Sequence, residues 1–539
     1  MHFPMRSFSI VVAAALACAC GSTATRRVVV EEPVVTDPNL GVTVGALTVE
    51  PANGVYYIDT STTPPTASKQ GFRVIWKSAD GDVDVTDEAT FALADARVGG
   101  FAGADFTTAT TLPTGLRALS SVVSVSAREL AGVAAVTVVP LKRTSEDRDF
   151  FFLEPFQEAP SPASDVLRFE TKIRAADVVF AVDNTGSMSG TIRDVQTELA
   201  GTLMPRLRAA IPSVGLSVVS FQDEVDGAGV VEVYQRITTV LADAQAAAGR
   251  MSARGGGDLP EANVAAMWHI LTGKALGTLV PAHVPPAGFS GGVNFRKGAV
   301  PVVVQISDAD WQDPSMGVTA VQLATAFKTA NARFVSVTTT TSFGASNEAQ
   351  ADTLSDATSS NVLPSVFSGC GAGKCCTGVN GAAREPVGAS RRCRLNFKYT
   401  PGSATLANSV VSAIKAISGG SIYDVTAAAV NDPANPGGVD ATKFIRAMRA
   451  KDEGDAAQGC AARQAKDTNG DGVNDTFVGV TIGAKVCFEV IPETNAFVTP
   501  TEAAQFFTAK IEVRGVPGAI VLDTRDVLFL VPPQTPVVN

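Results

Sequence analysis

Four apolar runs, "DVVFAV", "VGLSVVSF", "AVPVVVQIS" and "RFVSVTT", recur between residue 174 and about residue 340. Runs of helical period separate or flank them: "VQTELAGTLMPRLRAAI", "LADAQAAAGRMSA", "EANVAAMWHILTG" and "AVQLATAFKTA". The strand-like runs have no polar face. A strand apolar on both sides must be covered on both sides, which predicts a parallel, doubly wound α/β sheet. Sheets of this kind place ligands at the carboxyl ends of their strands. "ATLANSVVSAIKAI" at 404–417 reads as the last helix of the same domain, after a Gly- and Cys-rich excursion over 360–400.

The rest of the chain has a different grammar. Its 539 residues allow roughly three or four domains of ~100–200 residues. Residues 41–145 contain short β-rich runs ("GVTVGALTVEP", "GFRVIWKSADG", "VVSVSAREL", "VAAVTVVPL") at the turn spacing of an all-β sandwich, with Trp76 in its core. The order "DVDVTDEATFALAD…GVAAVTVVPL" resembles bacterial immunoglobulin-like repeats. Period-2 patterning returns over 423–539 and predicts a second sandwich, preceded by "ATKFIRAMRA", which reads as a short helical run. The same alternation in "VLRFETKIRAADVVF" suggests that 146–173 gives a strand to that second sandwich. The α/β domain, 174–422, would then be an insertion within it.

The first twenty residues read as an export signal: Arg6, an apolar core from Phe8 to Ala17, and the small-residue stretch "ALACACGS". Cys20 followed by Gly and Ser resembles the acylated cysteine of a bacterial lipoprotein, and simple secretion is the alternative. Residues 21–40 then read as a tether. A lipid anchor would be the sole membrane contact, at the outer membrane or cell surface. The formal charge of −10 argues against a nucleic-acid partner, which selects for a basic face. Cys370, Cys375, Cys376, Cys393, Cys460 and Cys487 are even in number, which in an exported chain favours three disulfides. The adjacent Cys375 and Cys376 should bond different partners, and Cys460 with Cys487 could clamp the loop between them. A zinc site is the alternative, but there is no Cys-x-x-Cys pair and His269 and His283 are remote.

The chemistry gathers where "DVVFAV" stops. Asp183, Thr185 and Ser187 alternate just past a strand end, so their oxygens can face one point. Hard divalent ions select oxygen ligands, and Mg²⁺ takes about six. One carboxylate and two hydroxyls leave such a site incomplete. Glu261, in the Gly-rich "RGGGDLPEANVAAMWHI", and Asp308, ending "VVVQISD", stand at the same sheet edge.

D-x-T-x-S after a strand, G-G-G-D-x-P-E in a middle loop and S-D-A after a later strand together resemble a von Willebrand factor A (vWA) domain. The resemblance implies a metal-ion-dependent adhesion site for Mg²⁺ or Mn²⁺ at Asp183, Thr185, Ser187, Glu261 and Asp308. The D-x-P-E form is similar to the integrin β-subunit variety, which implies a neighbouring Ca²⁺ site at Asp223, Asp258, the Pro260 carbonyl and Glu261. Gly256 stands where that loop usually has Asn, and "SGTIRD" replaces the acid pair of a third site.

Further along, "DTNGDGVNDTF" sets Asp467, Asn469, Asp471, the Val473 carbonyl and Asp475 at positions 1, 3, 5, 7 and 9 of a calcium loop. Val478 fills position 12, so the loop is similar to those of thrombospondin type 3 and dockerin modules. An ordinary Asn/Gly turn is the plainer reading. Helix capping is the plainer reading of Asp183, Thr185 and Ser187, but it leaves Asp258, Glu261 and Asp308 unexplained. His269 and Trp268 read as packed. Trp311 reads as either ligand-facing or core.

Three functions remain. The first is a non-enzymatic binding module whose metal accepts an Asp or Glu carboxylate from a protein ligand. The second is a structural or assembly protein whose metals only order the fold. The third is a metal-dependent hydrolase with Asp310 as base; there is no P-loop, HExxH or G-x-S-x-G to support it.

Overall fold

Alternation of side chains along a fully buried strand feeds two cores at once, and Ala175–Asp183 does this. Val178, Phe180 and Val182 face one core, with Ile192, Leu207, Ala247, Val410 and Ile414 from the helices on that side. Val179 and Ala181 face the other, with Val264, Ile270, Leu323 and Leu354. The strand is the centre of a six-stranded sheet in a computed structural model that describes residues 47–143, 148–198 and 202–534. The order is Val231–Thr238, Ser213–Phe221, Ala175–Asp183, Val300–Ala309, Arg333–Phe343 and Asn396–Tyr399. All neighbours are parallel except the first pair. Asp183 and Asp308 therefore lie at the same, carboxyl edge.

The described residues form two compact units, 47–140 with 533–534, and 141–532. In the first, ten strands divide among three small sheets, where the sequence suggested a two-sheet sandwich. Period-2 burial is clear in Leu119–Ala127, whose Val123 and Val125 join Val74, Phe72, Phe106 and Val136 in the core. Trp76 is half-buried at the margin of that core, with the Arg128 guanidinium 5.1 Å from its ring centroid. The signal, the tether and the lipidation candidate Cys20 lie outside the described residues.

In the second unit the α/β part leaves a β part and re-enters it. Phe150–Leu153 pairs in parallel with Ile520–Val531, and Asp165–Glu170 pairs antiparallel with Lys485–Pro492. A six-stranded and a three-stranded sheet enclose Phe152, Phe169, Phe444, Phe488, Phe507 and Phe529. Two segments differ from the sequence reading. "ATKFIRAMRA" is a short 3-10 turn, Ala441–Phe444, followed by the strand Ile445–Ala450. Pairing with Lys485–Pro492 overrides the local helical period there. The Cys-rich excursion ends earlier than residue 400, because Asn396–Tyr399 is the outer strand of the α/β sheet.

The disulfides are Cys370–Cys376, Cys375–Cys393 and Cys460–Cys487. The last closes 27 residues around the "DTNGDGVND" loop. Replacing both of its cysteines by Ala should lower unfolding stability by ~3 kcal/mol, because the open chain gains loop entropy. The midpoint of urea unfolding checks this.

Candidate metal centre

The four loops of the site are sewn together by their backbones. Asn184 N–H donates to Phe221 O at 3.0 Å, Arg254 N–H to Asn184 O at 2.8 Å, and Gly186 N–H to Gly255 O at 3.3 Å. Ala262 N–H donates to Gln222 O at 3.1 Å, and Glu261 N–H to Asp310 O at 2.9 Å. One glycine is required: Gly256 has φ +82°, and a Cβ on it would lie 2.9 Å from Thr185 Cβ.

A chain of oxygens runs through these loops. Ser307 Oγ donates to Asp183 Oδ2 at 2.7 Å. Thr185 donates to Asp183 Oδ1 through its backbone N–H at 3.0 Å and its hydroxyl at 2.7 Å. Ser187 Oγ lies 3.3 Å from Thr185 Oγ1 and donates to Asp308 Oδ1 at 3.2 Å. Asp183, Thr185, Glu261 and Asp308 are buried, and Ser187 is exposed. The cluster thus opens to solvent at one hydroxyl.

Among the described residues, hydroxyl and amide donors meet its carboxylates and no basic side chain pairs with them. Burial pushes Asp183 up to about 6, against the hydrogen bonds from Thr185 and Ser307. Burial, followed by the charges of Asp183, Asp223, Asp226 and Asp308, pushes Glu261 up to about 9. Asp308 is raised by burial. Glu261 Oε2 is buried without a hydrogen-bond partner. An acceptor in that state costs about 1–3 kcal/mol unless something positive or protic meets it. Among the described residues no three His, Cys, Asp or Glu side chains lie close enough to hold a metal unaided. The hydroxyls of Thr185 and Ser187 stand between Asp183 and Asp308, so the donor set is mixed. Such a set of carboxylate and hydroxyl oxygens suits a hard divalent cation, and the orphaned Glu261 oxygen is a further buried acceptor whose carboxyl feels the charges of Asp183 and Asp308.

The neighbouring acids are arranged less fully. Asp223 is buried with Oδ2 unpartnered; burial and then the adjacent Asp258 carboxyl push it up to about 6. Asp258 is exposed and Pro260 half-buried, after a cis Leu259–Pro260 bond. In the 467–475 loop the carboxylates are turned onto their own backbone. Asp467 accepts from the N–H groups of Asn469, Gly470 and Gly472, Asp471 from Val473, and Asp475 from Thr468. The N–H groups of Gly472 and Gly470 hold Asp467 below the usual carboxylate range.

Two contributors escaped the sequence reading. Ser307 stands beside Asp308 in "SDA", where its neighbour's charge hid it. Asp226 accepts from Gly256 N–H at 2.9 Å and adds to the field on Glu261. Other candidates are structural. Trp311 is buried, donates Nε1–H to Asn347 Oδ1 at 3.1 Å and meets Phe334 edge-on. His269 is buried against Lys274 O. Asp310 Oδ1 accepts from the N–H groups of Ser346 and Asn347, at the start of the helix Asn347–Ala357. Asp310→Ala should therefore lower the melting free energy by ~1 kcal/mol through the lost cap. It should leave divalent-cation affinity, read by calorimetry, as in the parent.

No family model matches this chain, and no curated protein matches it. Among solved structures it is similar to "von Willebrand factor type A from Catenulispora acidiphila". The identity is 11%, covering 82% of this chain and 74% of that one, with a TM-score of 0.29. It is also similar to proximal thread matrix protein 1 from the mussel byssus, at 11% identity over 50% of this chain and 52% of that one, with a TM-score of 0.26.

Proposed function

We propose that the chain is a non-enzymatic, metal-dependent protein-binding module. Asp183, Thr185 and Ser187, with Glu261 and Asp308, would hold Mg²⁺ or Mn²⁺. A bound divalent ion supplies an electrophilic position that an Asp or Glu carboxylate of a protein ligand can complete. The observation that carries the reading is the set of buried, mutually repelling carboxyls, with no basic partner among the described residues, open to solvent at the Ser187 hydroxyl. Charge-assisted contact in so dry a site lets one ligand residue dominate affinity. The open side favours binding over a purely structural metal, which a closed oxygen cage would serve as well.

The residues have separate parts. Ser307 and Thr185 orient the Asp183 carboxylate by hydrogen bonds. Ser187 ties Asp308 to the same cluster. Asp310 caps a helix through Oδ1, which weighs against the hydrolase reading. The vWA-type adhesion role, the immunoglobulin-like character of the flanking β parts and lipid anchoring at the cell surface belong to the same proposal. So do Ca²⁺ at Asp223, Asp258, Pro260 and Glu261, and Ca²⁺ at 467–475.

Capture of surface proteins by the full chain, with Mg²⁺ and then with EDTA, tests the function. Metal-dependent capture that Asp183→Ala abolishes is expected. Capture that survives both chelation and Asp183→Ala would sink the proposal.

A further inference from the structure

A second set of unpaired charges lies at the opposite, amino edge of the α/β sheet. Arg333 begins the strand Arg333–Phe343 there. A cavity of about 540 Å³ opens beside it, lined by Arg333, Arg392, Asn361, Ile417, Ile422 and Tyr423 among others. Its volume falls in the range of small-molecule sites, roughly 300–1,000 Å³.

Two polar atoms in this cavity are buried without a hydrogen-bond partner, and one guanidinium has only neutral partners. The Arg333 guanidinium lies over the Tyr423 ring, 5.3 Å from its centroid, and its Nε is buried without a hydrogen-bond partner. Tyr423 is 2% exposed, and its hydroxyl is also buried without a partner. Arg392 donates to the side chain and carbonyl of Asn361, both neutral. Burial, and then the charge of Arg333, hold the Arg392 guanidinium below its ordinary value.

Paired acids were available nearby. Arg394, two residues on, is bound by both Asp352 and Asp356. Among the described residues neither Arg333 nor Arg392 has such a partner. Two like charges in one half-buried site repel, and among the described residues only the Tyr423 ring and the neutral Asn361 oxygens offset that repulsion. The arrangement is nevertheless braced. The ladder Val362↔Cys393 and the Cys375–Cys393 disulfide fix the backbone on which Arg392 and Asn361 sit. Preorganised donors beside a cavity lined by both polar and apolar side chains are what an amphipathic anion selects for.

We propose that this cavity binds a small organic anion. Arg333, Arg392 and the Tyr423 hydroxyl would hold its oxyanion head, and Val362, Ile417 and Ile422 its apolar body. Arg is suited to a planar carboxylate or a phosphate through paired N–H groups. The site is independent of the metal centre.

Calorimetric titration of the full chain with phenyl phosphate and with benzoate, each to about 10 mM, tests this. Saturable binding of at least one probe is expected, and the tighter one names the head as phosphate or carboxylate. Arg333→Gln should weaken it by roughly tenfold or more, the worth of a charged hydrogen bond. Tyr423→Phe keeps the ring and removes one hydroxyl, and should weaken it by roughly threefold to tenfold. Equal binding of both probes, lost in Arg333→Gln, supports the same site. Absence of saturable heat with either probe overturns the proposal. So does an affinity unchanged in both variants, each checked for an unaltered melting temperature. The guanidiniums would then serve only the carbonyl ends of the helices Ala320–Ala330 and Leu406–Gly420.

Discussion

Asp183→Ala should abolish Mg²⁺ and Mn²⁺ binding without unfolding the chain. Asp183 supplies both carboxylate oxygens around which the loops are arranged: Oδ1 takes Thr185 and Oδ2 takes Ser307. Orienting groups around metal ligands are typically worth 10–100-fold in affinity, and loss of the ligand itself should exceed roughly 100-fold. Ser307→Ala, which removes only the orienting hydroxyl, should fall within that smaller range of about 10–100-fold. Calorimetry on the purified chain reads both. The metal-free variant should melt no lower than the parent near neutral pH. The reason is electrostatic: after burial, the Asp183 charge is the largest influence raising Glu261. Removing it relieves a buried repulsion, although it leaves a small cavity. Metal affinity unchanged in Asp183→Ala would show that the oxygen cluster is not the binding site. A collapsed melting temperature would show that the repulsion has been misjudged.

Stability of the metal-free protein should fall as pH rises from about 5 to 8. Asp183 and Asp223 titrate near 6 in the folded chain and Glu261 near 9, above the unfolded values of about 4. Between the two sets of values the folded state holds more protons than the unfolded state. The slope of unfolding free energy with pH is then negative. Each group's penalty is absent below pH ~4 and grows until pH passes its folded value. For Glu261 alone the loss by pH 8 is on the order of 3–4 kcal/mol. Saturating Mg²⁺ should flatten the profile, because a bound cation favours the ionised form that burial opposes. Thermal melts from pH 5 to 8, with EDTA and with Mg²⁺, measure the effect. A metal-free profile that is level or rises with pH would contradict the field described for Glu261.

The α/β part was legible in the sequence because its strands are covered on both faces. Burial of both faces leaves a continuous apolar run such as Val178–Val182, and no surface requirement blurs it. The acids and hydroxyls ending those runs were legible for a related reason: Asp183 and Asp308 break an apolar pattern abruptly. "ATKFIRAMRA" misled because a ten-residue apolar–polar run fits a helical period as well as a strand. Partner strands settle such a run, and Ile445–Ala450 found one in Lys485–Pro492, some forty residues on.

Local order along the chain determined the apolar periods, the strand-end oxygens of Asp183, Thr185 and Ser187, and the even number of cysteines. Tertiary structure alone decided which cysteines pair, that Ser307 and Asp226 serve the acidic cluster, and that Arg333 and Arg392 line one cavity with no acid paired to either among the described residues. The physical reason is range. Hydrophobic period and turn chemistry act between near neighbours in sequence and leave a trace there. Hydrogen bonds such as Ser187 to Asp308, 121 residues apart, depend on how loops pack, and no local pattern encodes them.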